Sequence, residues 1–332
     1  MTMGCAIFNI VNFCLATAFV PDFYPLPSFL GGIVSSRDYN IIVYHRASAM
    51  QERDRHRKIA IAFTVHVRAY SDSMNSAVFR SGQTDPYTGD MLDWGLVRQW
   101  NDNDEKNQGV DFMKKFALMP TFSHVDLYGG SVGFEVCSWR ITTCKSSLTG
   151  PQFVDLCKRV VSFRDSHAAA GAENSYGAGG AKGMYFPPAW MSGIVDTVKY
   201  RKWLLKRAKE IRKSDLTLGR QFAKSHEVSD YRKLINDAVY ANGRYDPFTG
   251  DQLDWSLVKL WDTSKSIDSD GTYIKKFALL PVVDHIDPQA AELRFEICAN
   301  QVNLCKSYLT PDEFVAQCRR IAAYRDAEND KR

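Results

Sequence analysis

The sequence predicts an α+β fold in two tandem domains, and three observations carry that expectation. The chain has 332 residues, more than one compact core usually fills. It aligns with itself, without gaps over most of its length, at a shift of 161 residues. Each copy mixes helix-spaced apolar residues with short apolar runs of strand character.

The repeat is dense in motifs. DPYTGDMLDW (85–94) falls on DPFTGDQLDW (246–255), and KKFALMP (114–120) on KKFALLP (275–281). GFEVCSWRITTCKSSLT (133–149) falls on RFEICANQVNLCKSYLT (294–310). The match begins near residues 23–34 and 185–195 and fades after SFRD (162–165) and AYRD (323–326). A period this long exceeds solenoid units and points to duplication of a whole domain. The expected domains are 23–165 and 184–332. The Gly- and Ala-rich segment 166–183 between them has the composition of a flexible linker.

Within the second copy, residues 196–213 form an amphipathic helix, with Tyr200, Trp203, Leu204, Ala208 and Ile211 on one face. The aligned Tyr39, Ile42, Val43, Ala47 and Met50 are apolar too. A second helix near 229–243 stops at Asn242-Gly243. DPFTGD is a turn, after which Asp254 caps a short helix carrying Trp255, Leu257, Val258 and Leu260. Strands are expected at 277–286 and 293–299, followed by a helical turn in NQVNLCK. The last helix starts at Thr310, with Glu313 completing a capping box that Thr149 and Gln152 repeat. Trp94 and Trp255 read as core.

Composition excludes little. Apolar content of 45% and charged content of 24% are ordinary for a globular protein, and a net charge of +4 permits a polyanionic partner without requiring one. None of the eight cysteines forms a CxxC pair, so no structural zinc is expected. Six fall into matching triplets, Cys137, Cys144, Cys157 and Cys298, Cys305, Cys318, which read as buried thiols of a reducing compartment. The expected location is cytoplasmic. The apolar extension 1–22 opens the alternative of a secreted protein with a signal peptide in residues 1–18, although MTMG lacks Lys and Arg and Asn9 and Asn12 interrupt the apolar run. Those two amides also make it a poor membrane span.

The chemistry-bearing stretch is LPVVDHID (280–287), whose copy is MPTFSHVD (119–126). From 277 to 306 the order is strand, Asp-His, loop, strand, then a helical turn with Asn303 and Lys306. That order resembles the ββα-metal core of the HNH nuclease family, over about thirty residues of each copy, and the upstream YDPFTGD is similar to the turn many HNH domains place there. The resemblance implies a metal-dependent endonuclease that hydrolyses phosphodiester bonds. His285 would be the general base, Asp284 and Asn303 would hold a divalent ion (Mg²⁺ first, Mn²⁺ second), and Lys306 would meet a phosphate. The family's middle asparagine, which orients the base, has no counterpart; the position reads Arg294-Phe295. Glu135 and Glu296 recur in both copies, which leaves a structural or a site role open.

The first copy reads as the degenerate counterpart. It keeps His124 and Lys145 but has Ser123 for Asp284 and Thr142 for Asn303. Only the second copy carries Lys199, Lys202, Lys206, Lys209 and Lys213 on the outer face of its first helix, a track for phosphates. The first copy has its own basic run, ERDRHRK (52–58). Two functions fit these residues: an endonuclease active in the second copy, or a non-catalytic nucleic-acid-binding or scaffold protein on two degenerate HNH-like folds. The expected partner is nucleic acid, DNA before RNA, with no obligate protein partner and no membrane.

Overall fold

A computed structural model describes residues 24–100, 110–127, 130–168, 184–261 and 275–330. The apolar N-terminal extension and most of the Gly/Ala segment lie outside the described residues. The fold mixes helices with two small antiparallel sheets. Contacts divide the chain into two compact units. Among the described residues, one comprises 24–155 with 320–330, and the other 156–261 with 275–319. The divisions fall inside two helices, not in the Gly/Ala segment. Among the described residues no helix is long and apolar enough to cross a membrane.

The elements of the first half are α1 (Ser36–His56), α2 (Ile61–Thr64), α3 (Val67–Ser81), α4 (Val110–Lys115), β1 (Pro120–His124), β2 (Phe134–Ser138), α5 (Trp139–Lys145) and α6 (Gly150–Ala168). Those of the second are α7 (Thr197–Thr217), α8 (Gln221–Ser225), α9 (Val228–Asn242), β3 (Pro281–His285), β4 (Phe295–Ala299), α10 (Asn300–Lys306) and α11 (Pro311–Asn329). In each half the two long helices pack on one another, and the second of them packs on the inner strand of the hairpin.

Local chemistry accounts for the helix limits. The Asp196 side chain caps α7 by accepting from the Lys199 N–H at 2.8 Å, and Ser35 does the same for α1 through Asp38 at 3.1 Å. All five apolar residues expected on α7 are buried, and so is Asp215 on the same face. On α1 the stripe is buried except for Ile42, which is half-buried. A reciprocal capping box of Glu227 and Asp230 opens α9. Gly243 ends it with φ −70, so the glycine is not there for a left-handed turn. It is there for space: a Cβ would lie 2.6 Å from the Val239 carbonyl oxygen. The Thr310–Glu313 box opens α11 with bonds of 3.0 and 3.3 Å.

The DPFTGD turn is a structural clamp. Asp246 is buried, and its carboxylate accepts from the N–H groups of Phe248 and Thr249 at 2.9 and 2.8 Å and from Ala299 at 2.7 Å. It thereby ties the turn to the end of β4. Asp85 binds Tyr87, Thr88 and Ser138 in the same way. Replacing Asp246 with alanine should cost about 2–4 kcal/mol, from buried N–H groups left unpaired, read as a lower urea midpoint with unchanged slope. Asp254 caps a 3-10 turn, Trp255–Lys259, and Trp94 and Trp255 are both buried.

The strands are shorter than expected. Residues 277–280 form a tight turn, with Ala278 donating to Lys275 and Leu280 to Phe277. Phe277 and Leu280 are buried there as they would be in a strand, so the apolar pattern does not separate the two conformations. The six triplet cysteines are buried, and none of them is in a disulfide.

Candidate functional site

The β3–β4 register decides which side chains meet. Asp284 pairs with Glu296, and His285 with Phe295. Directly opposed residues share a face, so Asp284 and Glu296 face α10 while His285 and Phe295 face the long helices. The structure therefore brings Asp284, Asn303 and Lys306 together and sends His285 elsewhere.

Lys306 is the centre of the first group. Its side chain is 1% exposed, and its Nζ donates to Asp284 Oδ2 at 2.6 Å and to the His285 carbonyl at 2.9 Å. Glu296 Oε1 lies 3.3 Å away, a charge contact without hydrogen-bond alignment. Burial pulls the Lys306 pKa down, but the Asp284 and Glu296 charges outweigh it and the net shift is upward. Burial raises Glu296 to about 7. The other Asp284 oxygen accepts the His285 N–H at 2.9 Å. With the Asn303 amide turned so that its nitrogen faces the carboxylate, that nitrogen is 3.2 Å from both Asp284 oxygens.

The first half repeats this arrangement without the aspartate. Lys145, also 1% exposed, donates to Ser123 Oγ at 2.9 Å, the His124 carbonyl at 2.6 Å and Glu135 at 2.7 Å. Thr142 contacts Cys137 Sγ at 3.1 Å. The recurring glutamate is thus a partner of the buried lysine in both halves.

His285 is held by α7 and the loop after it. Its Nε2 lies 3.1 Å from Asp215 Oδ2, and Arg220 Nη1 lies 3.1 Å from each ring nitrogen. Asp215 also accepts from Arg220 at 2.6 Å and from the Tyr231 hydroxyl at 2.8 Å. Phe222 and Phe295 flank the ring. Both ring nitrogens are engaged within this cluster, away from Asp284. In the first half His124 Nε2 lies 3.0 Å from Asp54 Oδ2, which accepts from Tyr70 at 2.9 Å. Burial holds the His124 pKa below its usual value against the pull of Asp54.

Sequence reasoning missed Asp215, Arg220 and Tyr231. The signal was present: Asp54 and Asp215 each continue an apolar helix stripe, where a lone acid needs a buried partner.

The donor set does not fit a divalent ion. Both Asp284 oxygens are taken, and the ammonium already supplies the positive charge there. A dication about 4 Å from that ammonium would be repelled by roughly 8 kcal/mol at an effective dielectric of about 20. Among the described residues no cluster of three or more His, Cys, Asp and Glu has metal-holding geometry.

The lysine track is open. Lys199, Lys202, Lys206, Lys209 and Lys213 are all exposed. Lys199 pairs with Asp196 at 2.8 Å, and Lys206 approaches Glu210 at 4.0 Å. At its far end lies an open cleft of about 470 Å³, lined by Lys209, Arg212, Lys213, Leu216, Thr217 and Val228. Lys209, Arg212 and Lys213 bring three cations to the wall of this cleft, whereas the Lys306 ammonium beside Asp284 is buried. No known protein family, curated protein or solved structure matches this chain.

Proposed function

We propose that the chain is a non-catalytic nucleic-acid-binding protein, built on two HNH-like ββα frames in which a lysine ammonium has replaced the metal. The observation that carries this reading is Lys306, buried with its Nζ 2.6 Å from the carboxylate that would otherwise ligate an ion. A second support is His285, whose ring faces Asp215 and Arg220, where it has no access to a water activated beside Asp284. By this reading the halves descend from one duplicated unit. Asp54 and Asp215, Tyr70 and Tyr231, His124 and His285, and Lys145 and Lys306 keep corresponding contacts. Phosphates would be met by the exposed track on α7 and the cleft at its end.

The test combines binding and cleavage. A labelled oligonucleotide titrated at several salt concentrations should bind with log K falling linearly in log salt. The slope should be about −2 to −3 if Lys202, Lys209 and Lys213 neutralise three phosphates. Replacing those three by alanine should flatten it by about that amount. Supercoiled plasmid incubated with Mg²⁺ or Mn²⁺ should remain intact. Metal-dependent nicking by the wild-type chain, abolished in Asp284→Ala, would overturn the proposal in favour of an endonuclease.

A further inference from the structure

We infer that the C-terminal unit takes its nucleic acid as a single strand, with an unstacked base lying on the Phe186 ring. The inference rests on the nucleic-acid reading above and adds the form of the ligand. Residues 184–188 run without regular structure ahead of α7, and α7 and α9 pin them from two sides. Arg201 on α7 donates its Nε to the Tyr185 carbonyl at 2.8 Å, and its guanidinium sits 5.0 Å from the Phe186 ring centroid. Arg232 on α9 sits 4.7 Å from the Tyr185 ring, and the Tyr240 hydroxyl donates to the Phe186 carbonyl at 3.1 Å. The rings are fixed in place yet remain open: Phe186 is 49% exposed and Tyr240 39%.

Charge selects the occupant. Neither Arg201 nor Arg232 has a carboxylate partner among the described residues, and exposed Lys202 adjoins Arg201 along the helix. An exposed aromatic ring backed by an unneutralised guanidinium offers a stacking face beside a phosphate contact, which suits successive nucleotides of a flexible strand. A duplex buries its base faces in its own stack and could use only the cations. The first half differs at these positions. The corresponding residues are Tyr24, Pro25, Asn40, Ser71 and Phe79, so Pro25 stands for the Phe186 ring, and the Asn40 amide ties the Tyr24 backbone.

The experiment compares a short labelled single strand with its duplex, using the full chain at low salt. The single strand should bind at least about tenfold tighter. Phe186→Ala should weaken single-strand binding by about tenfold or more, in line with the loss of one stacked base, and leave duplex binding unchanged. Phe186→Trp should retain it. Unchanged hydrogen-exchange protection of α7 and α9 in Phe186→Ala separates lost stacking from lost folding. Equal or tighter duplex binding, or single-strand binding unaffected by Phe186→Ala, would overturn the inference while leaving the nucleic-acid reading in place. Absence of binding to either form would remove both.

Discussion

Replacing Lys306 with methionine is expected to destabilise the C-terminal unit by about 3–5 kcal/mol, the usual result of removing one partner from a buried charge pair. Methionine matches the lysine stem in volume, so the loss would be electrostatic and not a cavity. It would leave Asp284 and Glu296 facing each other across the β3–β4 pair, with the His285 carbonyl unpaired. The reading is a lower urea midpoint together with faster hydrogen exchange in β3, β4 and α10. Lys145→Met should cost less, about 1–3 kcal/mol, since among the described residues Glu135 is its one carboxylate partner and Ser123 replaces the aspartate. A pH dependence accompanies this cluster. Glu296 keeps its proton to about pH 7 when folded, against 4.5 ordinarily. The native state therefore binds more protons across that window, and stability falls as pH rises from about 4.5 to 7. Glu296→Gln should flatten that limb. An unchanged midpoint in Lys306→Met would show that the ammonium does not hold the ββα frame together.

How much of this was legible in the sequence depended on range. The buried face of α7, the Thr310 box and the Asp254 cap follow from residues a few positions apart, and all three stand in the fold. The opposition of Asp284 and His285 follows from strand period alone. What local spacing did not give was the partner. Asp215 reaches His285 from 70 residues away, and only long-range packing fixes that contact. Helical spacing sets Lys306 beside Asn303, but it does not tell a lysine that meets an external phosphate from one that is buried, as Lys306 is. Its stem turns inward at the end of the seven-residue α10, where Ser307 adopts φ 52 and ends the helix. A Lys-to-Asp contact across 22 residues looks the same in sequence whether the ammonium faces solvent or core.

Asp215→Ala should be the second severe substitution, at about 3–5 kcal/mol, and Asp54→Ala offers its internal comparison. Asp215 holds three groups at once: the Arg220 guanidinium, the Tyr231 hydroxyl and the His285 ring. Removing it leaves a largely buried guanidinium without its carboxylate and the buried His285 ring without its hydrogen-bond partner. Asp54 has a lighter task. It contacts Tyr70 and His124, and the position aligned with Arg220 is buried Ile59, so there is no counterpart of the Arg220 ion pair to break. The expected cost there is about 1–3 kcal/mol. Acid should separate the halves further. His124 is held below its usual 6.5 by burial, so its contribution is present above that pH and lost as pH falls. Asp54→Ala removes the carboxylate that opposes this shift, so its deficit should widen in acid, whereas His124→Phe should weaken the acid limb. Hydrogen exchange of β1 and β3 amides at pH 5 and pH 8 reads both effects on their own strands. Equal losses in Asp54→Ala and Asp215→Ala would mean that Arg220 draws nothing from Asp215, and that the inward histidine is held by packing against Phe222 and Phe295 alone.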